Sequence, residues 1–213
     1  MRELTLHYIF DPLCGWCYGA APLVDAAKDI AGLKIALHGG GMMTGSNRRH
    51  IDAQWRRHVI EHDARIAAMT GQIFGDAYIN GLLLDTSAVM DSAPPTGAIL
   101  AAESLAGRGL EMLHRIQIAH YQAGLRVADP AVLETLAKDM GLAPDAFTEE
   151  VRAVSGEPLN EYFAESRLLL ERVRGRGFPT FALEDPEGQL KLLDAGRFLG
   201  NAAAWREMLI RRE

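Results

Sequence analysis

Cys14 and Cys17 are the only cysteines in the chain, and they enclose Gly15 and Trp16. Residues three apart in a helical turn have α-carbons roughly 5 Å apart, inside the window a disulfide needs. A reversible intramolecular disulfide is therefore geometrically cheap. At a helix N-terminus the first cysteine faces unpaired backbone N–H groups and the positive end of the macrodipole, a field worth about 0.3–2 kcal/mol that favours a thiolate. The spacing predicts Cys14 as nucleophile and Cys17, deeper in the turn, as resolving thiol. Two cysteines at this spacing in an otherwise cysteine-free chain read as redox or metal chemistry rather than a staple. A zinc site needs about four ligands and no second pair is present, so no metal is expected.

The flanking segments supply the strand-turn-helix setting. Leu4–Phe10 alternates, with Leu4, Leu6, Tyr8 and Phe10 on one face. A helix is predicted over Gly15–Ala31, with Leu23, Val24, Ala27, Ile30 and Ala31 at helical spacing and Gly32 as C-cap. Pro22 lies inside it, where proline kinks a helix. A second strand, Leu33–His38, runs into Gly39-Gly40-Gly41, completing a βαβ unit. Far downstream Gly177-Phe178-Pro179-Thr180 precedes a strand over Phe181–Leu183. Asp185-Pro186-Glu187-Gly188 reads as a hairpin turn leading to Leu190–Leu193, and a helix over Asn201–Arg212 closes the chain. Between these ends the periodicity is helical: from Ser46 or Asn47 to Met69, Ser92 to Ala106, Gly109 to Ala123, Asp129 to Met140, Pro144 onward, and Pro158 to Arg174. Residues 72–92 form an apolar irregular stretch that packs back on the core.

Strand, Cys-x-x-Cys, helix with a proline five residues on, then an X-Pro-Thr segment entering a strand: this resembles the thioredoxin superfamily. The long spacing between the motifs is similar to the DsbA-like branch. Asp11-Pro12-Leu13-Cys14-Gly15-Trp16-Cys17 looks like the active-site segment of cytoplasmic members described as predicted disulfide isomerases. The resemblance implies an α/β, thioredoxin-like fold with an inserted all-helical domain, with residues 1–45 and 175–213 forming the thioredoxin-like domain and 46–174 the insert. It also implies a cis Phe178–Pro179 bond packed on the cysteines, with Trp16, Phe178 and Pro179 as substrate-binding residues. Two departures stand out. Relatives place a buried carboxylate relay six residues before the first cysteine, where this chain has Tyr8, with His7 beside it and Asp11 nearer the site. The Gly-Trp dipeptide carries no cation to hold the thiolate, so a potential between strong oxidants and thioredoxins is expected.

Other motifs carry less. His58-Val59-Ile60-Glu61-His62 matches the HxxEH zinc helix, but Arg56, Arg57, Asp63 and Arg65 read as a solvated face. Gly40–Ser46 spans a GxxxxG but lacks the lysine of a phosphate loop, so a turn is the better reading. Arg172, Arg174 and Arg176 lead to the proline segment, as a solvated run or as a site for an acidic substrate or a glutathione carboxylate.

The 213 residues, 48% hydrophobic and 23% charged, suit a folded chain, and the net charge of −6 argues against a nucleic-acid partner. Met1–Thr5 shows no signal-peptide pattern, and no apolar run approaches the roughly 18–20 residues of a span. A cytoplasmic protein with no membrane partner is expected. The activity expected is thiol–disulfide oxidoreductase or isomerase chemistry on disulfide-containing proteins or small thiols. No bound cofactor is required, glutathione is a candidate redox partner, and a separate reductant or oxidant recycles the pair. Alternative readings are a glutathione-dependent kappa-class transferase or chromene-carboxylate isomerase-like enzyme, against which Cys17 argues, and a non-catalytic peptide-binding or chaperone module.

Overall fold

A computed structural model describes residues 4–211; Met1–Glu3 and Arg212, at the two ends of the predicted elements, lie outside the described residues. Strands β1 (Leu4–Phe10), β2 (Leu33–Gly39), β5 (Thr180–Glu184) and β6 (Leu190–Leu193) form one sheet in the order β2-β1-β5-β6. β1 runs parallel to β2, Leu4 opposite Leu33, and antiparallel to β5, Tyr8 opposite Phe181. β5 and β6 form the expected hairpin. This is the expected α/β, thioredoxin-type sheet.

β1 is the central strand, and it is buried on both faces. Leu6, Tyr8 and Phe10 lie on one side, where Tyr8 stacks on Phe181 at 4.7 Å and Phe181 meets Trp205 edge-on at 5.2 Å. Trp205 belongs to α9 (Ala202–Arg211), which packs with the helix after β1. Ile9, with Ala182, lies on the opposite side against Val173, Leu169 and Leu170 near the end of α8 (Glu157–Arg172). Double coverage explains why strict alternation fails at Ile9.

The predicted Gly15–Ala31 helix is two helices, α1 (Gly15–Gly19) and α2 (Ala21–Lys28). Pro22 has no N–H to continue the ladder, so the chain breaks at Ala20 and restarts with proline in the first turn. Leu23, Val24 and Ala27 are buried as expected, but the helix stops before Ile30, and Gly32 serves the turn into β2 rather than a cap.

The helix expected from Ser46 or Asn47 begins later. Residues 45–47 form a 3₁₀ turn, β3 (Arg49–His50) pairs with β4 (Val89–Met90), and α3 spans Ala53–Thr70. Asp52 sets that start because its carboxylate accepts from Trp55 N at 2.7 Å. Helices α4 (Ala93–Ala106), α5 (Gly109–Tyr121), α6 (Pro130–Asp139) and α7 (Pro144–Val154) follow within a residue or two of the predicted bounds. Tyr162 of α8 clips the outer edge of β2: its hydroxyl accepts from Gly39 N at 2.8 Å and donates to Leu37 O at 3.0 Å.

The stretch read as irregular contains a π-helical turn, residues 77–81, that buries Tyr78. Two glycines press it onto the end of α5. A Cβ at Gly75 would lie 2.1 Å from Gln122 O, and one at Gly124, where φ is +64°, would lie 2.2 Å from Ala77 O. Both obstacles are backbone. Gly75→Ala should therefore destabilise the protein by about 2–3 kcal/mol, read as a lower urea midpoint with little change in m-value.

Candidate active site

Cys14 caps α1 from an extended conformation, φ −89° and ψ 114°, and its Sγ accepts from Cys17 N at 3.4 Å. Its own N–H donates to Asp11 O at 3.1 Å, closing the turn. Both thiols are free. They differ in access: Cys14 is 7% exposed and Cys17 fully buried. Burial, followed by the neighbouring Cys14 thiol, pushes the Cys17 thiol well up. The pair thus consists of a slightly exposed cysteine at a helix N-terminus and a fully buried one behind it.

The proline segment lies against that pair. Phe178–Pro179 is a cis peptide, and the Cys14 thiol donates to Phe178 O at 3.5 Å. The Phe178 ring covers Gly40, where a Cβ would lie 2.0 Å from Cζ, so only glycine fits beneath it. Trp16, half-buried in the first turn of α1, packs on the core. The structure therefore brings Cys14, Cys17, Phe178 and Pro179 together, with Trp16 beside them.

Asp11 and Tyr8, noted from the sequence near the relay position, take defined places, and Arg167 and Ser92 join them unannounced. Asp11 is fully buried, and its carboxylate accepts from Leu13 N (2.9 Å), Met42 N (2.6 Å) and Ser92 Oγ (2.9 Å). Burial pushes it up to about 6 despite those donors and the nearby Arg167. Tyr8, at the relay position, donates its hydroxyl to Cys17 O at 3.2 Å, and burial raises its phenol well above the ordinary range. It offers no carboxylate. Arg167 of α8, and not the arginine run after it, reaches the glycine loop, donating to Gly40 O and Gly41 O at 2.8 Å each. Arg172, Arg174 and Arg176 are exposed. The His58 and His62 rings lie 4.5 Å apart and tilted on α3, yet among the described residues no cluster of metal-ligating side chains forms.

A capped, asymmetric dithiol facing a cis-proline on a thioredoxin-type sheet defines a thiol–disulfide oxidoreductase. More narrowly, the chain belongs to the DSBA-like thioredoxin domain family, whose model matches residues 5–202. Among solved structures it is similar to the cytosolic disulfide reductase DsbM from Pseudomonas aeruginosa, at 54% identity over 98% of both chains with a TM-score of 0.92. It matches a structure of that reductase with GSH at 53% identity over 98% of both chains, TM-score 0.90. A putative protein disulfide isomerase from Nitrosomonas europaea, 22% identical over 98% of this chain and 96% of its own, shares the fold with a TM-score of 0.79. No curated protein sequence matches the chain significantly. No helix among the described residues is long and apolar enough to cross a membrane.

Asp11 holds its proton more tightly folded than unfolded, about 6 against 3.8. Its contribution is therefore complete below about pH 4 and is lost as pH rises through about 6, a change of roughly 3 kcal/mol. Unfolding free energy measured from pH 4 to 7 should fall less steeply in Asp11→Asn than in the wild type. Parallel curves would show that Asp11 titrates alike in both states.

Proposed function

We propose that this protein is a cytoplasmic disulfide reductase that draws electrons from glutathione. The Cys14 thiolate attacks one sulfur of a substrate disulfide, forming a mixed disulfide and expelling the other sulfur as a thiolate that takes up a proton. Cys17 then loses its proton and attacks Cys14 Sγ, releasing the second substrate thiol and leaving a Cys14–Cys17 disulfide. Two glutathione thiols reduce that disulfide and leave as glutathione disulfide, so the electrons balance. Trp16, Phe178 and Pro179 rim the site, and the Phe178 carbonyl turned toward Cys14 is the backbone group a bound extended segment would meet.

The observation that carries this reading is the unequal placement of the two cysteines, Cys14 capping the helix against Phe178 O and Cys17 fully buried behind it. A staple would need no such difference, and a transferase would need no second thiol. The reductase direction and the compartment are supported by the likeness to a cytosolic reductase seen with GSH.

Iodoacetamide should label Cys14 well ahead of Cys17 in the reduced protein. Cys14→Ser should abolish glutathione-coupled disulfide reduction, whereas Cys17→Ser should accumulate a mixed disulfide with glutathione, detected by mass. First labelling at Cys17 would reverse the roles. A Cys14–Cys17 potential near about −270 mV fits a reductase, and one near about −120 mV would exclude that direction.

A further inference from the structure

Asp63, on α3 of the helical insertion, is 6% exposed, and nothing in the chemistry above uses it. Its carboxylate lies directly over the dipeptide between the cysteines. A Cβ built on Gly15 would fall 3.0 Å from Asp63 Oδ1 and 3.0 Å from Ile66 Cδ1. Oδ2 is fixed by the buried Tyr78 hydroxyl, which donates at 2.9 Å from the π-helical turn. Among the described residues Asp63 forms no ion pair, and that turn is instead gripped by Arg56 through Ile79 O at 3.3 Å. Tyr78 and Tyr121 are phenols whose protons burial holds tightly, and His120, tilted against Tyr78 and edge-on to Tyr121, is kept neutral by burial, down at about 4. Burial, and after it the neighbouring Tyr78 hydroxyl, raises the Tyr121 phenol well above its ordinary range.

A negative charge there opposes what the N-terminus of α1 does. The Cys17 N–H favours negative charge on Cys14 Sγ, while a carboxylate packed against Gly15, the next residue, would disfavour it. We infer that Asp63 is a positioning residue that sets the reducing strength of the pair: its carboxylate destabilises the Cys14 thiolate and so drives the dithiol toward the disulfide. The chemistry is the exchange already written, dithiol plus glutathione disulfide giving the Cys14–Cys17 disulfide plus two glutathiones, and Asp63 moves its equilibrium without changing its stoichiometry. A dithiol whose thiolate is stabilised is an oxidant, and one whose thiolate is destabilised is a reductant. Tyr78 serves by holding the carboxylate ionised. The inference rests on the redox reading of the cysteine pair.

The test equilibrates reduced protein with glutathione buffers from pH 5 to 8 and follows alkylation of Cys14 by iodoacetamide at the same pH values. At pH 7.5, Asp63→Asn should shift the exchange constant about tenfold toward the dithiol, equivalent to about 30 mV, and speed alkylation several-fold. Burial raises Asp63 to about 6, so both differences should shrink toward nothing near pH 5, where the wild-type carboxyl is protonated. A packing defect would not vanish with pH. Tyr78→Phe removes the hydrogen bond that favours the charged carboxylate, so its curves should join those of Asp63→Asn at a higher pH than the wild type's do. It also serves if Asp63→Asn folds poorly. Equal constants for wild type and variants across the range, or slower alkylation in Asp63→Asn, overturns the inference while leaving the redox reading intact. Failure of the wild type to form any Cys14–Cys17 disulfide overturns the redox reading itself.

Discussion

The buried Asp11 carboxylate is the knot from which the site is strung. Its three donors come from three separated places: the cysteine turn at Leu13, the glycine loop at Met42, and the start of α4 at Ser92. Ser92 continues the link, its hydroxyl accepting from Met43 N at 3.1 Å while its own N–H donates to Met43 O at 3.0 Å. A single ionisable side chain thus locks sheet, loop and helical insertion into one register. Burying it costs desolvation, and its proton is held more tightly as a result. The hydrogen bonds offset part of that cost, and the gain is a cysteine turn that cannot move independently of the loop under Phe178.

The helical insertion is more than a cover. Through Asp63 and Tyr78 it places a polar pair behind Gly15, and through Arg167 it grips the carbonyls of the glycine loop. The short dipeptide side of the motif has a reason in this packing. Glycine at position 15 is what lets α3 come so close, and any side chain there would press on Asp63 and Ile66. The redox turn is therefore shaped from one side by the sheet and from the other by the insertion.

The cysteine spacing, the alternation of β1 and the proline segment made the sheet and the sulfur pair legible from the chain alone. These are local signals, and local chemistry sets them. The break at Ala20 was also legible in principle, since Pro22 forbids an uninterrupted ladder. The start of α3 was missed because Ser46 and Asn47 resemble caps, whereas Asp52 makes the capping bond. Asp63, Ser92 and Arg167 could not be read as site residues, because each reaches the cysteine turn or the glycine loop beside it only after long segments fold back. In sequence Asp63 was one more charge on a polar helix. Burial alone distinguishes it, and burial of a single residue on an amphipathic helix is decided by its partners.

The clip that Tyr162 makes on β2 bears on how the protein meets other chains. Leu37 O and Gly39 N belong to the outer rim of the sheet, where an additional strand would dock. One phenolic oxygen satisfies both, so an incoming backbone finds that end of the rim already occupied, beside the glycine loop that the Phe178 ring covers. That end of the sheet therefore offers no open template for strand addition.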